Sequence, residues 1–265
     1  MIETELKIHL EAKLLEINKI IGKEYGSVHD IGVLAGTSGL ALFKFYYARY
    51  TGNKEEEDKG EEILTEAFNK INNDYARPTF CVGIAGAGWA IEHLIAEDFV
   101  EMESDDLLEV LDVYLYQMMG LEADPFYFDF LHGALGIAFY FLSRYENTNS
   151  EELKSRYGSY LQKVIDTLER TAILEGSTAK WRSIIDREKK TPGYNFSLSH
   201  GMSSIINFLS RLTDVNEVQP KAESLLAKAV NYIVSNENID PEKKHYFPDF
   251  IHEDNTVQQG GRLAW

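Results

Sequence analysis

Four stretches of the chain share one pattern: residues 36–50, GTSGLALFKFYYARY; 83–97, GIAGAGWAIEHLIAE; 133–147, GALGIAFYFLSRYEN; and 201–215, GMSSIINFLSRLTDV. Each opens on Gly, has a second small residue three positions on, and continues as an apolar run of helical length. The fourth carries Ser204 where the others have their second Gly. Recurrence at a fixed spacing marks a repeat architecture. The leading glycines are 47, 50 and 68 residues apart, the period of a helix pair. The longer last interval implies an insertion, which we place at 175–194, with its charged Arg187, Glu188, Lys189 and Lys190 and a Pro192-Gly193 turn.

Between these runs, the segments 2–21, 55–71, 105–119, 150–173 and 221–234 have helical spacing and many charges. In 61–71 the apolar Ile63, Leu64, Ala67, Phe68 and Ile71 recur three or four apart, so one stripe faces inward and the acidic face meets solvent. The Gly-led runs are instead apolar nearly all round and need cover on more than one side. Alternating solvated and buried helices predict an all-α, two-layer α/α toroid, as one domain over 1–265. Strand signals are almost absent. A Gly costs about 1 kcal/mol against Ala inside a helix, so its recurrence implies a shared packing role, the close approach of neighbouring backbones.

Composition narrows the function. The 265 residues are 44% hydrophobic and 26% charged, which suits a folded globular chain. With 26 Lys and Arg against 43 Asp and Glu, the net charge is −17, which repels phosphate backbones and anionic lipid. Nucleic acid and membrane are therefore not expected partners. The single cysteine, Cys81, rules out an internal disulfide and fits a cytoplasmic setting. The N-terminal stretch mixes charges with apolar residues and does not read as a signal peptide.

Several motifs have a structural reading beside a chemical one. The glycines of 83–88 superficially resemble a phosphate loop but belong to the repeat and lack a βαβ context. Cys81 reads as a small hydrophobe and His93 as an ordinary helix histidine. His245, Asp249, His252 and Asp254 match no regular metal spacing and read as a solvated loop. More specific are the residues just before two inner helices. YFDFLHG, 127–133, puts Asp129 four residues before its Gly; NFSLSHG, 195–201, puts His200 directly before its own. Asp129 is either a cap for backbone N–H groups or a functional acid, and His200 either donates to a carbonyl or handles protons.

The repeated helix starts, FDFLHGALG, SLSHGMSS and the terminal GGRLAW together resemble the lanthionine synthetase C-like family, the cyclases of lanthipeptide biosynthesis. The resemblance spans essentially the whole chain. It implies an α/α toroid of seven helical hairpins with zinc in the central cavity. The metal activates a cysteine thiolate of a dehydrated precursor peptide. That thiolate adds to dehydroalanine or dehydrobutyrine, and protonation of the enolate closes a thioether ring. On this resemblance Asp129, His200 and Arg262 are the catalytic candidates: His200 the acid/base, Asp129 its orienting partner, Arg262 the group that stabilises enolate charge or holds the Asp. The dehydrated peptide is the implied partner, and a lanthipeptide dehydratase a further candidate.

The family's zinc ligands belong to a Trp-Cys-Tyr-Gly motif and a later Cys-His-Gly motif. Here the sequence stops at Trp265, where the first Cys would come next. The expectation is an incomplete toroid of about four hairpins, a fragment with no metal ligands of its own and no cofactor, and its status as an enzyme stays open. Two other readings stand beside it. An α/α-toroid glycosidase would need a second acid near Asp129, such as Asp124 or Asp249. A non-catalytic peptide-binding module would use Phe126, Tyr127 and Phe128 at a cavity mouth.

Overall fold

The computed structural model describes residues 2–121, 128–186, 188, 191–238 and 246–258. Its chain divides into two compact units, Met1–Leu111 and Asp112–Trp265.

The first unit holds α1 (Ile2–Glu24), α2 (Thr37–Thr51), α3 (Lys54–Asn72), α4 (Ile84–Ala96) and the start of α5 (Ser104–Met118). Gly36 and Gly83 are the N-caps of α2 and α4. In α4 nine residues are buried, from Ile84 to Leu94 and on every face, as a doubly covered helix requires. By contrast α3 buries only Gly60, Ile63 and Ala67 along one stripe, with Asn53 capping its N-terminus by accepting the Glu55 N–H at 3.0 Å. Ile21, Ala41 and Ile63 form the core joining α1, α2 and α3. Beside it, the buried Lys44 ammonium donates to Glu56 and to the Asn18 side chain, each at 2.6 Å, and pins the three helices together.

The second unit continues through α6 (Ala134–Asn147), α7 (Glu151–Thr171), α8 (Met202–Leu212) and α9 (Gln219–Ser235). Gly133 and Gly201 cap α6 and α8. All nine helices among the described residues fall where periodicity places them.

The strands do not. Residues 173–195 form β1 (Ile173–Glu175), β2 (Thr178–Lys180), β3 (Ser183–Asp186) and β4 (Thr191–Asn195), and β5 (Phe250–His252) and β6 (Val257–Gln258) follow α9. β1 pairs with β2, while β3-β4-β5-β6 make an antiparallel sheet. The expected Pro192-Gly193 turn lies inside β4 instead. A Cβ on Gly193 would press into Ile185 of one neighbouring strand and the Ile251 carbonyl of the other, so this glycine serves close packing. The supposed solvated loop carries strand β5, and Asp254 turns the chain by accepting the Thr256 N–H; His245 lies outside the described residues. Among the described residues, no helix is long and apolar enough to cross a membrane.

Candidate functional site

The inner helices α2, α4 and α8 are each entered through a loop that folds back over the first turn, and this return explains their glycines. A Cβ on Gly83 would strike the Arg77 carbonyl; on Gly86, the Phe80 carbonyl; on Gly39, the Val33 carbonyl; on Gly201, the Asn195 carbonyl. Each obstacle lies six residues upstream in the same repeat. The backbone these glycines admit is therefore mainly the repeat's own entry loop, where the sequence had suggested neighbouring helices. Ser204, at the second small position of α8, is accommodated by turning its hydroxyl onto the Gly201 carbonyl at 2.7 Å.

The loops share a second device. In three of the four, a side-chain oxygen four residues before the leading Gly accepts the N–H of the residue just before that Gly. Thr79 takes the Val82 amide at 3.4 Å, Asp129 the His132 amide at 2.8 Å, and Ser197 the His200 amide at 3.2 Å. Neighbouring loops are also tied by backbone. Leu34 and Ala35 donate to the Cys81 carbonyl in the first unit, and Phe130 and Leu131 to the Ser199 carbonyl in the second.

In the second pair of loops the two positions that meet, four residues before one leading Gly and one before the other, both carry titrating side chains. There Asp129 Oδ2 meets His200 Nδ1 at 2.7 Å. At the matching positions of the first pair stand Gly32 and Val82, in backbone contact at 2.9 Å. Asp129 is nearly buried, whereas the His200 side chain keeps 36% of its surface open. Burial pushes the Asp129 carboxyl up, but the hydrogen bonds from His200 and the His132 amide, with the nearby imidazoles, outweigh it, and its pKa falls below the ordinary value. An ionised carboxylate only accepts, so Nδ1 of His200 carries the bonded proton. Nε2 is the ring nitrogen on the side away from this bond.

Asp129 thus fills both of its sequence readings at once, with one oxygen capping the turn and the other holding the imidazole. His132, quoted within FDFLHG but given no role, stacks on His200 with ring centroids 5.9 Å apart and 18° between planes. Aligning the repeats would have found it, since His132 and His200 both stand directly before their glycines. Arg262, Asp124, Phe126 and Tyr127 lie outside the described residues. Phe128 is buried, 5% exposed, and so does not line an open mouth. Cys81 is half-buried, and His93 sits between the Trp89 ring and the Tyr46 hydroxyl. The Asp249 carbonyl accepts the Phe196 N–H of the His200 loop.

Among the described residues, no three His, Cys, Asp or Glu side chains are placed to hold a metal ion. With a single cysteine in the chain, they do not fit a thiolate-rich zinc site.

A family model described as lanthionine synthetase C-like protein matches residues 27–265. A solved structure of nisin cyclase superposes on 93% of this chain with a TM-score of 0.70 at 16% identity, and the match spans 62% of that structure's chain. At this identity the likeness shows the fold, an α/α toroid. No curated protein sequence matches.

Proposed function

Because the chain belongs to the lanthionine synthetase C-like family, we propose that it takes part in forming thioether rings in a dehydrated precursor peptide, with the Asp129–His200 pair handling the proton. The observation that carries this reading is the 2.7 Å contact between a nearly buried carboxylate and a part-open imidazole.

In this reaction a cysteine thiolate of the peptide adds to the β-carbon of dehydroalanine or dehydrobutyrine. A carbon–sulfur bond forms, the C=C π pair moves to the α-carbon and its carbonyl, and an enolate results. The proton on Nε2 of His200 passes to the α-carbon, completing the ring and leaving neutral imidazole. Asp129, ionised and bonded to Nδ1, fixes the ring plane and the tautomer. Arg262 is proposed to stabilise the enolate charge or to hold Asp129. In the family, zinc lowers the thiol pKa and positions the nucleophile; the described residues do not fit it, and the proton step rests on protein groups alone.

The test is ring closure in a dehydrated model peptide with one cysteine, counted by mass spectrometry as thiols protected from alkylation. We expect His200→Ala to lower the rate by about 10²-fold or more, the scale of a general acid. Equal rates for the variant and the parent would overturn the assignment.

A further inference from the structure

The 68-residue interval before Gly201 contains an inserted β region that, among the described residues, the intervals between the earlier repeat glycines lack, and a run of hydrogen bonds leads from it to the imidazole. Ser183 of β3 accepts the Asn195 N–H with its hydroxyl at 3.3 Å. Asn195, the last residue of β4 and 7% exposed, accepts the Ser197 N–H with its side-chain oxygen at 2.8 Å. Ser197 in turn accepts the His200 N–H. The same loop is tied at Phe196, whose N–H goes to the Asp249 carbonyl beside β5 at 3.0 Å and whose carbonyl takes the Ser203 hydroxyl at 2.6 Å. Backbone on both sides of Ser197 is thereby fixed, and Ser197 is the link that reaches His200 itself.

We infer that Ser197 is a positioning residue for His200, through which the inserted sheet sets the imidazole against Asp129. Two observations carry this beyond an ordinary turn. The position is the repeat's own: Thr79, Asp129 and Ser197 make the same bond to the residue before the leading Gly. The two halves of the pair therefore stand on two copies of one turn, with Asp129 as the acceptor of one and His200 as the donor of the other. Moreover, the bond from the side chain at 197 reaches His200 directly and can be cut by a substitution that leaves both members of the pair in place.

The repeat also names the rescue. Thr79 makes this bond in the second repeat, so threonine at 197 should restore what alanine removes. The inference rests on the proton role proposed for His200, and a readout that needs no turnover separates the two. That readout is the downfield Nδ1–H proton resonance of His200 in its bond to Asp129.

In the 265-residue protein we expect Ser197→Ala to weaken or broaden that resonance and to slow ring closure of the dehydrated model peptide about 10-fold, with KM little changed, because a misaligned group costs rate rather than binding. Ser197→Thr should return both to parental values. Thr79→Ala, which cuts the same bond beside Val82, should leave both unchanged. A Ser197→Ala resonance identical to the parent's would overturn the inference, as would failure of threonine to rescue, or an equal loss in Thr79→Ala. If the parent closes no rings, the proton role falls, while the resonance still decides whether Ser197 positions the imidazole.

Discussion

Asp129 reaches His200 at 2.7 Å across 71 positions of sequence, and does so with the oxygen that its own turn leaves over. The other oxygen is held by the His132 amide, so the carboxylate is oriented before the imidazole arrives. This division of labour separates structure from chemistry within one side chain.

Asp129→Asn keeps an oxygen able to accept the His132 N–H but removes the negative charge that faces Nδ1 of His200. Ring closure should fall about 10²-fold or more, with thermal stability nearly parental. Asp129→Ala also removes the cap and should cost about 1 kcal/mol more in a urea melt. Equal stability of the two variants would show that the cap contributes nothing.

The same carboxyl links stability to pH. Its folded-state pKa lies below the ordinary 3.8. A depressed carboxylate pKa gives stability that is fully present above the unfolded value and lost as pH falls through the folded one. Urea melts from pH 6 downward should therefore show a loss in the parent beginning near the unfolded value of about 4, and Asp129→Asn should flatten that part of the curve.

Glycine in these helices should behave against the usual rule. Replacing a helical Gly by Ala normally gains up to about 1 kcal/mol. In Gly86→Ala the new methyl meets the Phe80 carbonyl and the Val33 amide, both backbone. We expect a loss of about 2–3 kcal/mol, the scale of overpacking. Gly26→Ala, where a Cβ meets nothing within 4 Å, should be tolerated. Comparable melting temperatures for the two variants would contradict the folded-back entry loop.

Much of this was legible in the sequence, and the exceptions have physical causes. Helices such as α3 and α7 announce themselves because one apolar stripe recurs over many turns. The strands escaped because β1 and β6 span three and two residues, too few for alternation to register, and because Pro192-Gly193 carries a turn's composition inside a strand. The Asp129 and His200 candidates came from their places before the repeat glycines. Their pairing was an expectation of the family resemblance, while the loop-to-loop bonds at Ser199 that bring them together are encoded by no local pattern, and His132 becomes legible only when the repeats are aligned on their glycines.

The last expectation concerns a buried charge away from the proposed site. Asp112, 1% exposed on α5, accepts the hydroxyls of Tyr140 on α6 and Tyr157 on α7, each at 2.6 Å, and pairs with the fully buried Arg144 guanidinium at 3.3 Å. Burial and the neighbouring carboxylate push both phenols well above the ordinary tyrosine range, so they remain donors at any working pH. Asp112→Ala would take the acceptor from both phenols and a buried carboxylate from the Arg144 guanidinium, which keeps its bond to the Tyr157 hydroxyl at 2.8 Å. Breaking such a pair from one side costs about 3–5 kcal/mol. Tyr157→Phe removes one donor to Asp112 and one acceptor of Arg144 but leaves the ion pair, and should cost about 1–2 kcal/mol. Urea denaturation of both variants checks the order; a Tyr157→Phe loss as large as that of Asp112→Ala would mean that the hydroxyl, and not the charge pair, holds the three helices together.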